Sequence, residues 1–340
     1  MGTKFSTDDI AKIKECPALY VGYVDIRGVF NLVFSFIEEI IFKSDQTNVR
    51  IEIHSDDCGS FHISSDFSTG IIDSFSRYVI EALSCYFDFL LEHDSFTIKF
   101  KLDRKIFSFD TIEYNSFLIR LTELAQLNNN VTILLANHEN RNVIHFQDGL
   151  DTMLLGGIYD FGLPPNAKPL SIHFSKNDIE VRVSMIFAYA QDVTLSFVNN
   201  CKTHDGGAHV IGLFDGLFNA FREYINSADI QLNKDHPLFF LVEILDGDPY
   251  SFDNNPNVIM RDVTENLNFV ISLTMDQPRF EGSVRRKLTS ESAYYTVKEG
   301  VTTNLKAILD SDPSFFYSSR VVQKAELRKI TQNHCDKSAN

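Results

Sequence analysis

Asn199-Asn200-Cys201-Lys202-Thr203-His204-Asp205-Gly206-Gly207-Ala208-His209-Val210-Ile211-Gly212-Leu213-Phe214 carries the chain from an apolar strand into an apolar helix. Paired glycines reach backbone angles closed to other residues, so Gly206 and Gly207 allow a tight turn that opens directly into a helix. Upstream, Leu170 to Phe174, Ile179 to Tyr189 and Val193 to Val198 alternate as strands. Downstream, Val210 to about Ile225 has helical spacing. Val263 to Met275 reads as a further strand. Thr289 to Leu309 and Ser314 to Ile330 read as helices parted by Asp310-Ser311-Asp312-Pro313. Leu245 to Pro256 is acidic and rich in Pro and Asn, which marks an exposed loop insertion.

The first half alternates helix and strand. Val29, Leu32, Val33, Phe36, Ile37, Ile40 and Ile41 fall on one helical face, while Val49, Ile51 and Ile53 alternate with polar residues. Phe61 and Ile63 begin a second strand, Ile72 to Leu91 reads as one helix, and Phe96 to Leu102 alternates again. Tyr114 to Leu127 is a helix, Val131 to Leu135 and Val143 to Phe146 are strands, and Gly149 to Phe161 is a helix. Gly162-Leu163-Pro164-Pro165 then stops it and reads as a linker. Domains over 1–165 and 166–340 follow, in line with a length of 340 residues.

Hydrophobic residues make up 44% of the chain and charged residues 23%, a globular balance rather than a disordered one. No apolar run reaches the roughly 20 residues that span a bilayer, so no membrane role is expected. Met1 to Ile10 is polar and mixed in charge, unlike a secretion signal. Cys16, Cys58, Cys85, Cys201 and Cys335 lack C-x-x-C spacing, which fits a cytoplasmic chain with reduced thiols. A net charge of −15 opposes a main task of gripping nucleic acid by its phosphates.

The Gly-Gly turn resembles the strand–turn–helix of the transducer domain in the type IIA DNA topoisomerase family (the gyrase B and topoisomerase IV B proteins), with Asn200, Asp205, Gly206, Gly207, His209 and Gly212 kept and Ala208 departing. Other segments resemble the same family in order. Cys16-Pro17-Ala18-Leu19-Tyr20-Val21-Gly22 is similar to R-P-G-M-Y-I-G. Leu121 to Asn128 is similar to R-L-R-E-L-A-F-L-N, and His145 to Leu150 to F-x-Y-x-G-G-I. Asp262 to Leu267 is similar to D-V-R-E-G-L, and Pro278-Arg279-Phe280-Glu281-Gly282 to P-x-F-E-G, with Lys287-Leu288 following. The resemblance implies an α+β chain: a GHKL-type α/β sandwich, then a transducer domain of the ribosomal-protein-S5-like β-α-β type. The family's DNA-cleavage domain does not follow before the sequence ends, so a truncated relative is expected.

The resemblance also implies four ATP elements, each altered here. Ser35 falls where the family places the Glu that activates water, and a neutral hydroxyl cannot take that proton near neutral pH. Glu39 falls where Asn would hold Mg²⁺. A carboxylate can ligate Mg²⁺ but adds negative charge beside phosphates. Glu38 and Glu39 otherwise read as a solvated helix edge. Asp66, or equally Ser65, matches the adenine-reading Asp, with Phe67 where Gly is wanted and Gly70 nearby. The phosphate-cradling lid is missing, since Ile71 to Ser95 contains no Gly and reads as a connecting helix. Arg285 stands where a Lys would reach the γ-phosphate, keeping charge but not geometry.

A pseudo-ATPase is therefore the leading expectation. It would need no cofactor and act through a protein partner, either itself or a topoisomerase subunit, as regulator, decoy or part of a larger assembly. The alternative is an ATP- and Mg²⁺-dependent topoisomerase component with Glu38 or Glu39 as a shifted base. A third expectation is weak or indirect DNA contact through Lys324, Arg328 and Lys329. His204 and His209, spaced across the turn, fit packing rather than metal ligation.

Overall fold

Alternating apolar residues build two separate sheets in this chain. The computed structural model describes residues 7–44, 48–158, 168–188, 193–227, 263–282 and 285–319. It divides into two compact units, Met1–Gly149 and Leu150–Asn340. The expected boundary at 165/166, the loop over 245–256 and most of the expected last helix lie outside the described residues.

The first unit begins with helices α1 (Thr7–Glu15), α2 (Ala18–Val21) and α3 (Ile26–Lys43). Asp25 caps α3 by accepting from the Arg27 N–H at 2.9 Å. Strands β1 (Val49–Ser55) and β2 (Ser60–Ser65) follow, then α4 (Phe75–Ala82), β3 (Ser84–Glu92), β4 (Ser95–Leu102), α5 (Tyr114–Leu127), β5 (Val131–Ala136) and β6 (Arg141–Ile144). The sheet runs β3-β4-β2-β1-β5-β6, parallel only between β1 and β5. One sheet face meets the apolar stripe of α3, where Val29, Val33, Phe36, Ile37 and Ile40 are fully buried. Phenylalanine does much of the filling: Phe36 meets Phe96 edge-on with centroids 5.8 Å apart, and Phe61 stacks on Phe100 at 5.1 Å. The opposite face carries the polar half of each alternation, including Arg50, Glu52 and His54 on β1 and Lys99 and Lys101 on β4.

The expectation of one helix over Ile72 to Leu91 is corrected. The helix is only α4, and Ser84–Glu92 is an edge strand paired with β4. Phe87 and Phe89 point to the core side while Tyr86, Asp88 and Leu90 face outward, so this stretch follows the strand period.

The second unit holds α6 (Gly149–Ile158), β7 (Leu170–Lys176), β8 (Ile179–Phe187), β9 (Thr194–Val198), β10 (Cys201–Lys202), α7 (Ala208–Ser227), β11 (Leu267–Met275), α8 (Glu291–Ser311) and α9 (Ser314–Tyr317). Its sheet runs β10-β9-β11-β8-β7, with β9 and β11 parallel. The last expected strand starts at Leu267 rather than Val263, because Val263 and Thr264 are helical and Asn266 turns with φ +62°. Asn199 and Asn200, at φ +48° and +63°, form a two-residue hairpin of the type suited to strand twist. The Asn199 amide also grips β11, accepting from Met275 N at 2.9 Å and donating to its carbonyl at 2.8 Å. Helices α7 and α8 pack closely where Gly212 and Gly216 present no side chain. A Cβ at Gly212 would come 2.6 Å from the Tyr294 carbonyl.

Among the described residues no helix is long and apolar enough to cross a membrane. Cys16, Cys58, Cys85 and Cys201 are not joined in disulfides.

The Gly-Gly turn is locked against residues 286–288. Ala208 donates to the Leu288 carbonyl at 2.8 Å, and Leu288 donates to the Gly206 carbonyl at 3.0 Å. Gly207 has φ +129°, and a Cβ there would lie 2.2 Å from the Leu288 carbonyl oxygen. Gly207→Ala is expected to destabilise the second unit by about 3 kcal/mol, through strain and a backbone clash. Gly282→Ala shares a positive φ of +78° but meets open space, and is expected to cost about 1 kcal/mol. Urea unfolding of the two variants checks the difference.

Candidate functional site

The outer edge of α3, the residues after β2 and the start of α4 bring together several of the residues singled out from sequence. Ser35 is exposed on α3, one turn before Glu39. Glu39 is half-buried and fully engaged. Its Oε1 meets Lys43 Nζ at 2.7 Å, its Oε2 accepts from the Ser74 hydroxyl at 2.7 Å, and the Ser76 N–H lies at 3.4 Å. Ser74 is the N-cap of α4 and accepts in turn from the Arg77 N–H at 3.1 Å. The Glu39 carboxylate therefore sits at the positive end of α4, where a helix favours an anion. Burial works to raise its pKa, but the hydrogen bonds from Lys43 and Ser74 prevail and hold it below the usual carboxylate range.

Lys43 also donates to the Gly70 carbonyl at 2.7 Å, so Glu39 and Gly70 share one cation. Gly70 has φ +71°, which fixes the bend where that carbonyl turns back toward α3. Asp66 is not part of this cluster. Its Oδ1 accepts from the Arg50 N–H at 2.7 Å, tying the end of β2 to β1. Ser65 is buried and accepts from Phe67 N at 3.2 Å. Phe67 packs partly against the core, in the place where the resemblance calls for Gly. Glu38 points to α5 and pairs with Arg120 at 2.6 Å, and Arg120 also binds Glu123. Burial pulls against the Arg120 charge, yet Glu38 and Glu123 raise its pKa above its ordinary value.

Both carboxylates on this part of α3 are engaged within the chain. A ligand carboxylate must face the metal, whereas Glu39 is already neutralised by Lys43 and bonded to Ser74. Glu38 is held in an ion pair. Among the described residues no group of three or more His, Cys, Asp or Glu could hold a metal ion.

In the second unit Arg285 is exposed, at φ +55°, with its guanidinium 6.0 Å from the Phe280 ring centre. Its neighbours are paired: Arg286 with Asp205 at 2.8 Å and Lys287 with Glu281 at 2.8 Å. His204 is exposed and His209 fully buried. The His209 Nε2 lies 3.3 Å from the Thr203 hydroxyl, while Nδ1 has no partner. Burial lowers its pKa to about 4. Lys324, Arg328 and Lys329 lie outside the described residues.

Sequence reasoning missed Lys43, Ser74 and Arg120. The Glu39–Lys43 pair has i,i+4 spacing and is readable on those grounds. Ser74 and Arg120 lie 35 and 82 residues from their partners, and no local signal announces them.

The family model for DNA gyrase B matches residues 141–240 and 241–337. This chain belongs to the DNA gyrase B family. Among curated relatives, the DNA gyrase B protein of Archaeoglobus fulgidus is 22% identical, covering 90% of this chain and 55% of that protein. The Borreliella burgdorferi gyrase B protein is also 22% identical, covering 88% and 55%. The Campylobacter jejuni gyrase B protein is 32% identical over 57% of this chain and 23% of its own length. The chain thus spans about half the length of the first two relatives. The 43K ATPase domain of Thermus thermophilus gyrase B, solved with an aminocoumarin, superimposes with a TM-score of 0.74 at 18% identity, over 97% of both chains. The gyrase B protein of Myxococcus xanthus gives 0.68 at 15% identity, over 94% of this chain and 99% of that one. The fold is accordingly the mixed α+β architecture of the gyrase B ATPase region, GHKL sandwich and transducer, with two sheets.

Two measurements probe these contacts. Glu39→Ala and Ser74→Ala are each expected to lower stability by about 1 kcal/mol, and the double variant to lose less than their sum, since both break one network. A double-mutant cycle in urea reads the coupling. His209 has a depressed folded pKa, so its stabilisation is fully present above about pH 6.5 and lost as pH falls toward 4. Between pH 7.5 and 5 the loss is expected to be roughly 2 kcal/mol. His209→Gln should remove that share of the pH dependence in urea titrations at the two pH values.

Proposed function

We propose that this gyrase-B-like ATPase region neither holds nor hydrolyses ATP and acts through protein contacts. It would serve as a regulator or decoy of a type II topoisomerase, by binding a topoisomerase subunit or a second copy of itself, or as part of a larger assembly. The observation that carries this reading is the Glu39 carboxylate at the N-terminus of α4, bound by Lys43 and Ser74. An internal anion takes the donors that a phosphate would need. Ser35, at the position the family gives its general base, has no carboxylate to accept a proton.

Surface chemistry supports the protein-contact half of the proposal. Leu19 is 82% exposed, and Tyr20, Tyr23, Val24, Ile72 and Phe75 are also open. The Tyr20 and Phe75 rings lie 6.2 Å apart, joining the α2 and α4 segments into one apolar patch. The net charge of −15 favours a protein over DNA as the main partner, with any DNA contact weak or indirect.

Isothermal titration with ATP or a non-hydrolysable analogue plus Mg²⁺ tests the proposal. No binding is expected up to about millimolar nucleotide, and micromolar binding would overturn it. Phosphate release at background rate is expected, unchanged in Glu38→Gln and Glu39→Gln. A parent rate above background that either variant abolishes would instead establish a shifted base.

A further inference from the structure

The open face of the first unit's sheet carries a second cluster of polar groups, separate from Glu39 and Lys43. One row crosses all six strands in register: Asp88, Lys99, His62, His54, Ala136 and Arg141. The His54 and His62 rings stack with centroids 5.7 Å apart. Lys101 lies two residues from Lys99 on the same face of β4, roughly 7 Å along the strand. Of these groups His54, His62, Lys99 and Lys101 line a pocket of ≈ 520 Å³ together with Tyr86 and Asn137.

Lys99 and the Asn137 amide keep donors to spare here, while the Lys101 charge also acts on Asp56. Neither Lys99 nor Lys101 has an ion-pair partner among the described residues. Asn137 uses its amide oxygen to accept from Glu139 N and Asn140 N, leaving its NH₂ group as a donor. The carboxylate that also lines the pocket, Asp56, accepts from Cys58 N at 2.9 Å and Ser60 N at 2.7 Å; burial works to raise its pKa, but these bonds and the Lys101 charge lower it, so it stays ionised. Asp88, opposite Lys99, is exposed at the sheet edge, and Glu52 pairs with Arg50 at 2.8 Å.

We propose that this pocket binds a small ligand in which a phosphomonoester is joined to a flat aromatic ring. Two ammonium groups and an amide donor suit a phosphate, which carries three oxygens and nearly two negative charges at neutral pH. Tyr86, 54% exposed, and the stacked imidazoles supply flat surfaces for a ring. The volume exceeds that needed for a bare anion and lies within the range of small-molecule sites. The His62 pKa is lowered by burial and then by Lys99 and His54, against Glu52, consistent with local positive potential. This inference does not depend on the state of the Glu39 cluster.

Isothermal titration of the full chain with uridine 5′-monophosphate at low salt tests it, with uridine and inorganic phosphate as part-ligands. The monophosphate is expected to bind at least about tenfold tighter than either part, because charge and stacking act together. The Lys99→Ala/Lys101→Ala double variant should weaken binding at least about tenfold, and Tyr86→Ala about threefold. Lys43→Gln, which alters only the cluster on α3, should leave binding unchanged. Thermal melts by circular dichroism confirm that each variant is folded. Absence of heat with millimolar monophosphate, equal binding of inorganic phosphate, retention of affinity without the two lysines, or loss of binding in folded Lys43→Gln would each overturn the proposal.

Discussion

The N-terminus of α4 favours an anion, and in the first unit the protein's own Glu39 carboxylate takes that place. Glu39 lies on α3, Ser74 and Ser76 at the start of α4, and Lys43 one turn along α3. Lys43 reaches on to the Gly70 carbonyl, so the backbone between β2 and α4 is pinned to α3 by the same cluster. A second anion brought to this end of α4 would reach the Ser74 hydroxyl and the Lys43 ammonium only by displacing the carboxylate that already holds them. An anionic ligand at this end of α4 therefore competes with Glu39 for the same donors.

The parts of this arrangement that are legible in the sequence are those set by local periodicity. The α3 stripe, the β1 alternation and the paired glycines follow from spacing alone, because burial on one face leaves a period of 3.6 or 2. The stretch over 72–91 misleads because Tyr86-Phe87-Asp88-Phe89-Leu90-Leu91 is apolar enough to satisfy either period. Only its pairing with β4, closed through His93 and Asp94, selects the strand, and that pairing is a tertiary fact. The candidate site divides the same way. Ser35, Glu38, Glu39 and Gly70 can be named from order along the chain. Their partners Ser74 and Arg120 arrive from distant elements, and the row from Asp88 to Arg141 needs the register of all six strands.

In the second unit the corresponding constraint is steric. Gly207 brings the start of α7 against the Leu288 backbone so closely that no side chain fits. The Asp205–Arg286 pair and the backbone bonds around it hold residues 286–288 to the turn. His209 is buried beneath that junction as a neutral ring with one nitrogen unbonded, an arrangement that tolerates neither charge nor water easily. The close approach at Gly207 and the burial of His209 are thus parts of one packed junction.

The two sides of the first unit's sheet dispose of charge in opposite ways. On the helix side, Lys43, Arg120 and Arg77 are each committed to a carboxylate within the fold. On the open side, Lys99 and Lys101 stand beside two imidazoles, and the nearest turn carboxylate is occupied by backbone donors. In a chain of net charge −15, acidic groups able to pair with two more lysines are plentiful, so local geometry and not shortage leaves Lys99 and Lys101 outside any ion pair among the described residues, with Lys101 acting on Asp56 from a distance. Desolvating an ammonium is unfavourable unless something of opposite charge meets it. A pocket that keeps two such groups at the surface, beside exposed aromatic faces, is chemically suited to an anion from outside the chain, whereas the cluster at α4 has already supplied its own.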